Sequence, residues 1–305
     1  MDKLNLELIE AKKRLVAIEE EKKALDEEYK FLQDKIHLYF DSDEYDTDET
    51  QKYIIGDFWS KAYKNYKDGG YITNDEYISK VRFSYEVKEL ETIIKENIKN
   101  KSRALDIGCG NGRYTKEFAK LFDNTVGIDL SQERIIQNNQ ENQNPNINYI
   151  YENFMTMKKD ALGKFDFVFV GDIFMYTPAN DVENVYNNLL KLLNKDGFLV
   201  IRESTLIHGN NDWKSKGYVA YYRNVDFYKS GIFEKTFVNL YRNYGYSLYY
   251  LDKYFNIFKD ARKNVENNPF LLKDIVPKFV DKSLKSSHFY LYLEKSLYKG
   301  KMDEK

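Results

Sequence analysis

The tightest constraint on this chain is the stretch ALDIGCGNGRYTKEF, Ala104 to Phe118. A short apolar run enters Gly108, Gly110 and Gly112, and a helical pattern follows at once. Glycine admits positive φ and lets a backbone approach a ligand closely. The first turn of the following helix has amides with no partner inside the helix. Strand, glycine turn and helix in this order predict an open α/β sheet with a ligand at the carboxyl ends of its strands. The downstream sequence keeps the alternation. RALDIG, NTVGIDLS, INYIYENF, FDFVFVGD and GFLVIRES read as strands, and RYTKEFAKLF, QERIIQNNQEN and DVENVYNNLLKLLN as helices. Apolar strands joined by helices of about ten residues predict a parallel sheet covered on both faces. YSLYYLDKYF and SHFYLYLEKS predict two late strands, with a helical insertion over residues 257–285 between them.

The first residues follow a different rule. Leu4, Leu8, Ala11, Leu15, Ile18, Lys22, Leu25, Tyr29, Leu32 and Ile36 are spaced alternately by four and three. This is a coiled-coil seam of about five heptads over residues 1–38, and it predicts self-association through residues 4–36 as a dimer or trimer. Lys22 within the seam costs stability and can fix register. YFDSDEYDTDETQKY then reads as an acidic linker, residues 39–52. It lacks the central glycine and spaced ligands of a calcium loop. Residues 53–100 are helical in pattern, a lid or packing layer over a core spanning 101–256, and residues 286–305 hold the last strand and tail.

Composition narrows the function. The 305 residues carry a formal net charge of -2, so no whole-protein charge argument favours nucleic acid, and no DNA partner is expected. Cys109 is the single cysteine, which excludes an intrachain disulfide and a cysteine metal cluster. His37, His208 and His288 are far apart in sequence, so no metal is expected. No run of 18 apolar residues reads as a membrane span. The charged, periodic first residues do not read as a secretory signal, and a cytoplasmic protein is expected.

The glycine turn is not a phosphate loop, which would close with Lys and then Ser or Thr; here GRYT follows. Nor does GCGNG match the G-x-G-x-x-G spacing of a dinucleotide fold, which argues against an NAD-linked oxidoreductase. Asp129 ends the next apolar strand, VGIDLS, where a carboxylate can accept from two ribose hydroxyls.

Together ALDIGCGNGRYT and VGIDLS closely resemble the first two motifs of class I S-adenosylmethionine-dependent methyltransferases. FDFVFVGDIFMYTP and LLKLLNKDGFLVIRES resemble that family's fourth-strand motif and the helix, turn and strand after it. The resemblance spans roughly residues 85–204 and implies an α/β, Rossmann-like three-layer sandwich with a mostly parallel seven-stranded sheet. It implies S-adenosyl-L-methionine as cofactor. Asp106 and the backbone of Gly108, Cys109, Gly110 and Gly112 would lie beside its methionine moiety. Asp129 would hold the ribose, and Leu130 would flank the adenine. Asn153 and Phe154, with Glu152 as the alternative acidic contact, would lie near the adenine amine. Asp172 and Ile173 would lie near the cofactor at the end of strand four.

Methyl transfer from a sulfonium needs alignment and exclusion of water, plus a proton acceptor when the nucleophile is a hydroxyl or ammonium. That acceptor is expected after strand five, where His208 is the nominal base and Glu203 a second catalytic candidate. Arg202, Arg223 and Arg242 are candidate anion ligands. Tyr221 and Tyr222, with Trp59 and Tyr63 from the N-terminal side, are candidate walls for the acceptor. GDIFMYTP lacks the N/D-P-P-Y/F/W signature of methyltransferases acting on exocyclic amines of DNA bases. DIFMYTP looks more like the small-molecule branches of that family, and this resemblance implies a small molecule or glycan with an O or N nucleophile as the acceptor. A protein acceptor and an inactive coiled-coil scaffold are the alternatives.

Overall fold

The computed structural model describes residues 12–20, 76–154, 162–206, 211–215, 218–251, 255–256, 259–278 and 285–293. Helix α1 (Glu76–Asn97) leads into β1 (Arg103–Ile107), α2 (Arg113–Phe118), β2 (Asn124–Asp129), α3 (Gln132–Glu141) and β3 (Ile147–Tyr151). Then come β4 (Phe165–Gly171), a 3-10 turn (Phe174–Tyr176), α4 (Ala179–Lys191) and the long β5 (Leu193–Leu206). A hairpin of β6 (Asn211–Ser215) and β7 (Tyr218–Tyr222) stands apart from the main sheet. The chain returns to that sheet through β8 (Phe237–Arg242), leaves it for α5 (Lys259–Asn267) and α6 (Leu272–Ile275), and closes with β9 (Lys285–Leu293).

The seven-stranded sheet has the order β3-β2-β1-β4-β5-β9-β8. All pairs from β3 to β5 are parallel, and β9 is antiparallel to both neighbours. The expected α/β three-layer sandwich with a mostly parallel seven-stranded sheet is therefore the fold. The chain runs outward one way from β1 to β3 and the other way from β4 to β5. The carboxyl ends of β1 and β4 thus flank the switch point, where open sheets of this kind bind ligands.

Side-chain alternation explains the two cores. Leu105, Val126, Val168, Val170, Leu199, Ile201, Tyr290 and Tyr292 meet the apolar stripe of α4, Val182, Val185, Tyr186 and Leu189. The intervening residues Ala104, Phe167, Phe169, Val200, Phe289 and Leu291 meet Leu90, Ile93 and Ile94 of α1 and Phe118 of α2. Strand β4 is central and covered on both faces, so it reads FDFVFVG without polar alternation on its apolar side. The first half of α1 projects past the sheet. There Ile78, Val81 and Tyr85 pack on Leu248, Leu251, Val265, Leu272 and Val276. Lys80–Glu266 and Lys273–Glu89 pairs cross the same contact.

One late strand differs from expectation. YSLYYLDKYF does not form it; Tyr244–Tyr250 is a 3-10 helix, and the strand is FVNLYR just before. Gly245 makes the reason visible, since a Cβ there would lie 3.2 Å from the Arg82 carbonyl. The aromatic run is needed as a cover for α1, and the sheet edge falls to the residues before it. The other late strand forms as Lys285–Leu293. Residues 53–75, most of the first 38 and the linker 39–52 lie outside the described residues.

Phe167 has no exposed surface, stacks on Phe122 at 5.5 Å and meets Phe118 edge-on at 5.0 Å. Replacing it by Ala is expected to cost about 3–5 kcal/mol. Denaturant unfolding monitored by circular dichroism measures this, with the slope of the transition unchanged.

Candidate active site

The glycine turn follows β1 without a break. Gly108, Gly110 and Gly112 all have positive φ, at 73°, 54° and 72°. The amides of Gly108 and Cys109 both donate to the Ile128 carbonyl at 2.8 and 3.0 Å, which stitches the turn to β2. Two of the glycines are also demanded by space. A Cβ on Gly108 would lie 2.7 Å from Ile173 Cδ1, and one on Gly112 would meet the Tyr149 ring.

Asp129 fixes the turn from the end of β2. Its Oδ2 accepts from the Gly110 amide at 2.8 Å, and its Oδ1 accepts from the Ser131 amide at 2.8 Å. A carboxylate has about four acceptor positions, so acceptor capacity remains beside these amides for a ligand hydroxyl. Burial raises the Asp129 pKa, and the Ser131, Gly110 and Leu130 amides together with the Arg134 charge oppose that rise. Asn138 of α3 donates to the Gly110 carbonyl at 2.8 Å and completes the scaffold.

Asp106 lies beneath the turn and is buried. Its Oδ2 accepts from Thr115 Oγ1 at 2.6 Å. Burial pushes its carboxyl up to about 7, the Thr115 hydrogen bond pulls down, and the Asp129 charge pushes further up. Cys109 is buried against Ile135, Ile147 and Tyr149. Burial and the two carboxylates raise its thiol pKa well above the usual range, so it fills space and is no nucleophile.

Across the switch point, Asp172 has φ 53°, a left-handed conformation that Asp tolerates better than most residues. Its amide donates to the Arg202 carbonyl at 2.8 Å, and its Oδ2 pairs with Arg202 Nη1 at 2.9 Å. Its buried Oδ1 has no hydrogen-bond partner. Burial works against the Arg202 charge, but Asp172 and Glu86 outweigh it and strengthen the cation. Ile173 packs on the main core beside Gly108.

Several residues expected in the site take other places. Phe154 is buried and belongs to the core cluster that holds Leu105, Val126 and Phe165. Asn153 is exposed, while Leu130 remains 37% exposed beside Asp129, as an apolar surface for a ring would be. Glu203 has no exposed surface, and its oxygens accept from the amides of Phe174 and Met175 at 2.8 and 3.2 Å. Burial raises its pKa well above the carboxylate range, and the Asp172 charge adds to the rise. A group so enclosed does not reach an acceptor from solvent.

Arg202 and Arg223 are also buried in protein contacts. Arg223 donates to the carbonyls of Phe174 and Thr177, both at 2.6 Å, with the Phe227 ring 4.9 Å from its guanidinium. Arg242 sits on the far strand β8, three strand spacings or roughly 14 Å from β4. Its side chain lies over the Tyr244 ring at 5.1 Å. Tyr221 and Tyr222 are half-buried on the hairpin strand β7. His208, Trp59 and Tyr63 lie outside the described residues.

The sequence reading missed Glu86, which is fully buried on α1. It accepts from Arg82 Nε at 2.8 Å, from the Tyr114 hydroxyl and from the Asn243 amide, and lies 3.7 Å from Arg202. Arg82 and Glu86 look like an ordinary i,i+4 surface pair in sequence. The only signal was their place on the apolar stripe shared with Ile78, Val81, Tyr85 and Ile93.

With this geometry in view, comparison with known proteins defines the class. Residues 104–197 match a family model described as a methyltransferase domain. Over these residues the core of the chain is similar to a methyltransferase domain. One relative is phosphoethanolamine N-methyltransferase 1 of Triticum aestivum, 30% identical over 132 residues, covering 41% of this chain and 25% of the relative. Another is a ubiquinone biosynthesis O-methyltransferase of Coxiella burnetii, 28% identical over 159 residues, covering 50% of this chain and 60% of the relative. The matched stretch is thus about a quarter of the plant relative's length. Phosphoethanolamine N-methyltransferase 1 of Haemonchus contortus, solved with phosphoethanolamine and S-adenosylhomocysteine, shares the fold. The TM-score is 0.53 with 14% identity, over 81% of this chain and 49% of that one.

Asp106 gives a pH signature. Its folded pKa, about 7, lies above the ordinary aspartate value of 3.8. Between these values the native state holds a proton that the unfolded chain has released, so this contribution is lost as pH rises from about 4 to about 7. Thermal melts of the unliganded protein and Asp106→Asn across that window are expected to diverge. The Asn variant gains relative stability with rising pH, and a constant difference would refute the assignment.

Proposed function

We propose that this chain is an S-adenosylmethionine-dependent methyltransferase that moves a methyl group to an oxygen or nitrogen nucleophile of a small molecule or glycan. The observation that carries the reading is Asp129, a carboxylate at the end of β2 tied to the glycine turn through the Gly110 amide, with acceptor capacity left for a ligand hydroxyl. The methyltransferase-domain match over residues 104–197 supports it.

The residues fit the group. Asp129 faces the ribose hydroxyls and Leu130 the adenine. The backbone of Gly108 to Gly112 and the unpartnered Asp172 Oδ1 would supply hydrogen-bonding groups for the cationic methionine end, with Asp106 beneath them. When bound, S-adenosylmethionine supplies a methyl group on a positively charged sulfur, which needs no further activation. The chain's own residues have three tasks: to orient the donor at the switch point, to align the acceptor and to exclude water. Where the acceptor carries a proton, His208 is the group we assign to take it.

The acceptor side rests on the hairpin of β6 and β7, with Tyr221 and Tyr222, and on the N-terminal segment with Trp59 and Tyr63. The relatives named above act on an amine and in quinone biosynthesis, and both chemistries suit a small-molecule acceptor. We assign residues 4–36 to self-association through a coiled coil. The described stretch 12–20 is helical and leaves Leu15, Val16 and Ile18 exposed by 61%, 54% and 49%. Such a face calls for a partner helix. A cytoplasmic location fits this reading, and no helix among the described residues is long and apolar enough to cross a membrane.

Calorimetry of the full chain with S-adenosylmethionine and S-adenosylhomocysteine tests the donor assignment. Both are expected to bind, and binding of neither overturns it. Asp129→Asn is expected to weaken both by about 1.5–3 kcal/mol, tenfold or more, through loss of charged hydrogen bonds. Light scattering tests the coiled coil. The full chain is expected at two or three protomers, and a chain beginning near residue 46 as a monomer; equal masses would remove the assignment.

A further inference from the structure

The turn after β4, residues 172–177, is gripped from both faces of the sheet by two consecutive residues of β5. Neighbours on a strand point to opposite faces. Arg202 reaches the α1 side and takes the Asp172 carboxylate, while its own carbonyl takes the Asp172 amide. Glu203 reaches the other side and accepts the amides of Phe174 and Met175. Arg223, one residue past β7, donates to the carbonyls of Phe174 and Thr177. Phe174 therefore has its N–H held by a buried carboxyl group and its C=O by a buried guanidinium.

We propose that Glu203 and Arg223 are positioning residues, a clamp that sets the 172–177 turn so that Ile173 rests on the glycine turn at Gly108. The clamp also holds the base of the β6–β7 hairpin to the same turn, since the Arg223 carbonyl accepts the Leu206 amide at 3.0 Å. The donor side and the acceptor side are thereby built on one body. The inference rests on the reading of this sheet edge as the donor site.

Three observations carry it. Glu203 and Arg223 are buried, at 0% and 6% exposure, in a region otherwise lined by Phe174, Tyr228, Phe233 and Tyr290. Buried polar and charged groups add little net stability, so packing alone would be served as well by apolar residues. What the two side chains add is geometry: the turn's own backbone bonds, Tyr176 N–H to Ile173 C=O and Thr177 N–H to Phe174 C=O, hold its shape, and each side chain ties two of its backbone groups to the sheet and the hairpin. Ile173 is the residue between the two grips, and its Cδ1 is within 2.7 Å of where a Gly108 Cβ would stand. A small shift of the turn is therefore transmitted directly to the glycine backbone.

The test uses the full chain and S-adenosylmethionine. In Glu203→Gln one oxygen becomes an NH2 group facing a backbone N–H, so one grip becomes a repulsion. Affinity for S-adenosylmethionine, measured by calorimetry, is expected to fall about tenfold or more, as for other small misplacements of a binding group. Amide exchange of residues 172–177 is expected to quicken. Ile173→Ala is expected to weaken binding by itself, and the Glu203→Gln, Ile173→Ala double variant to bind no more weakly than Ile173→Ala alone. A purely structural role predicts additive losses instead. Arg223→Met runs the same cycle where Glu203→Gln does not fold. Additive effects, or wild-type affinity in both clamp variants, overturn the clamp while leaving the donor site standing. Absence of binding by the wild-type chain overturns the donor site itself, and the clamp with it.

Discussion

The carboxylate of Glu86 is the contact on which the site's architecture turns. It comes from α1, before the sheet begins, yet it meets Tyr114 of α2, Arg202 of β5 and Asn243 at the end of β8. These elements are far apart in sequence and together surround the carboxyl edge of the sheet. Burial by itself would raise the Glu86 pKa. The Arg82 and Arg202 charges, with the Tyr114 hydroxyl, outweigh it and hold the carboxyl at about 2. The group is thus an anion that the interior cannot release, and the two arginines beside it are buried cations that need it. Removing one member of such a cluster strands the others, which costs far more than the cluster contributes to net stability.

From that point the logic of the edge is electrostatic. Arg202 shares its charge between Glu86 and Asp172, and through Asp172 it holds the end of β4 in a left-handed turn. Asp106 and Asp129 stand on the opposite side of the switch point, with Asp106 near neutrality and Asp129 anchored by backbone amides. The result is a glycine turn flanked by the Asp129 and Asp172 carboxyl groups, with Asp106 beneath it and the balancing cations placed behind. A ligand that brings positive charge fits that edge. The same arrangement joins the N-terminal helix to the insertion of α5 and α6, because Ile78, Val81 and Tyr85 of α1 pack on Leu272 and Val276.

Much of this was legible in the chain. The parallel strands announced themselves as continuous apolar runs, since a strand covered on both faces has no reason to alternate. The glycine turn and Asp129 were readable because their roles depend on backbone conformation and on place at a strand end, both of which are local. Phe154 was less legible, because an aromatic residue after β3 serves a core as well as a ring-binding slot, and its burial with the core appears only in the packing. Glu203 and Arg223 misled for a related reason. Charged residues at the end of a strand look like site groups, and whether they face a ligand or a buried turn depends on the next element. The aromatic run after Gly245 was read as a strand, although its partner was α1 and no neighbouring strand.

By itself, then, the sequence determined the order of strands and helices, the turn that only glycine can make, the acidic residue at the end of β2 and the kind of ligand such a turn receives. These follow from hydrophobic period and from backbone freedom, which act over a few residues. Tertiary structure alone decided which charges would be buried together. Glu86, Arg202 and Asp172 meet across long separations in the chain, and their ionisation depends on water being excluded from all of them at once. No local pattern records that, because desolvation is a property of the assembled interior.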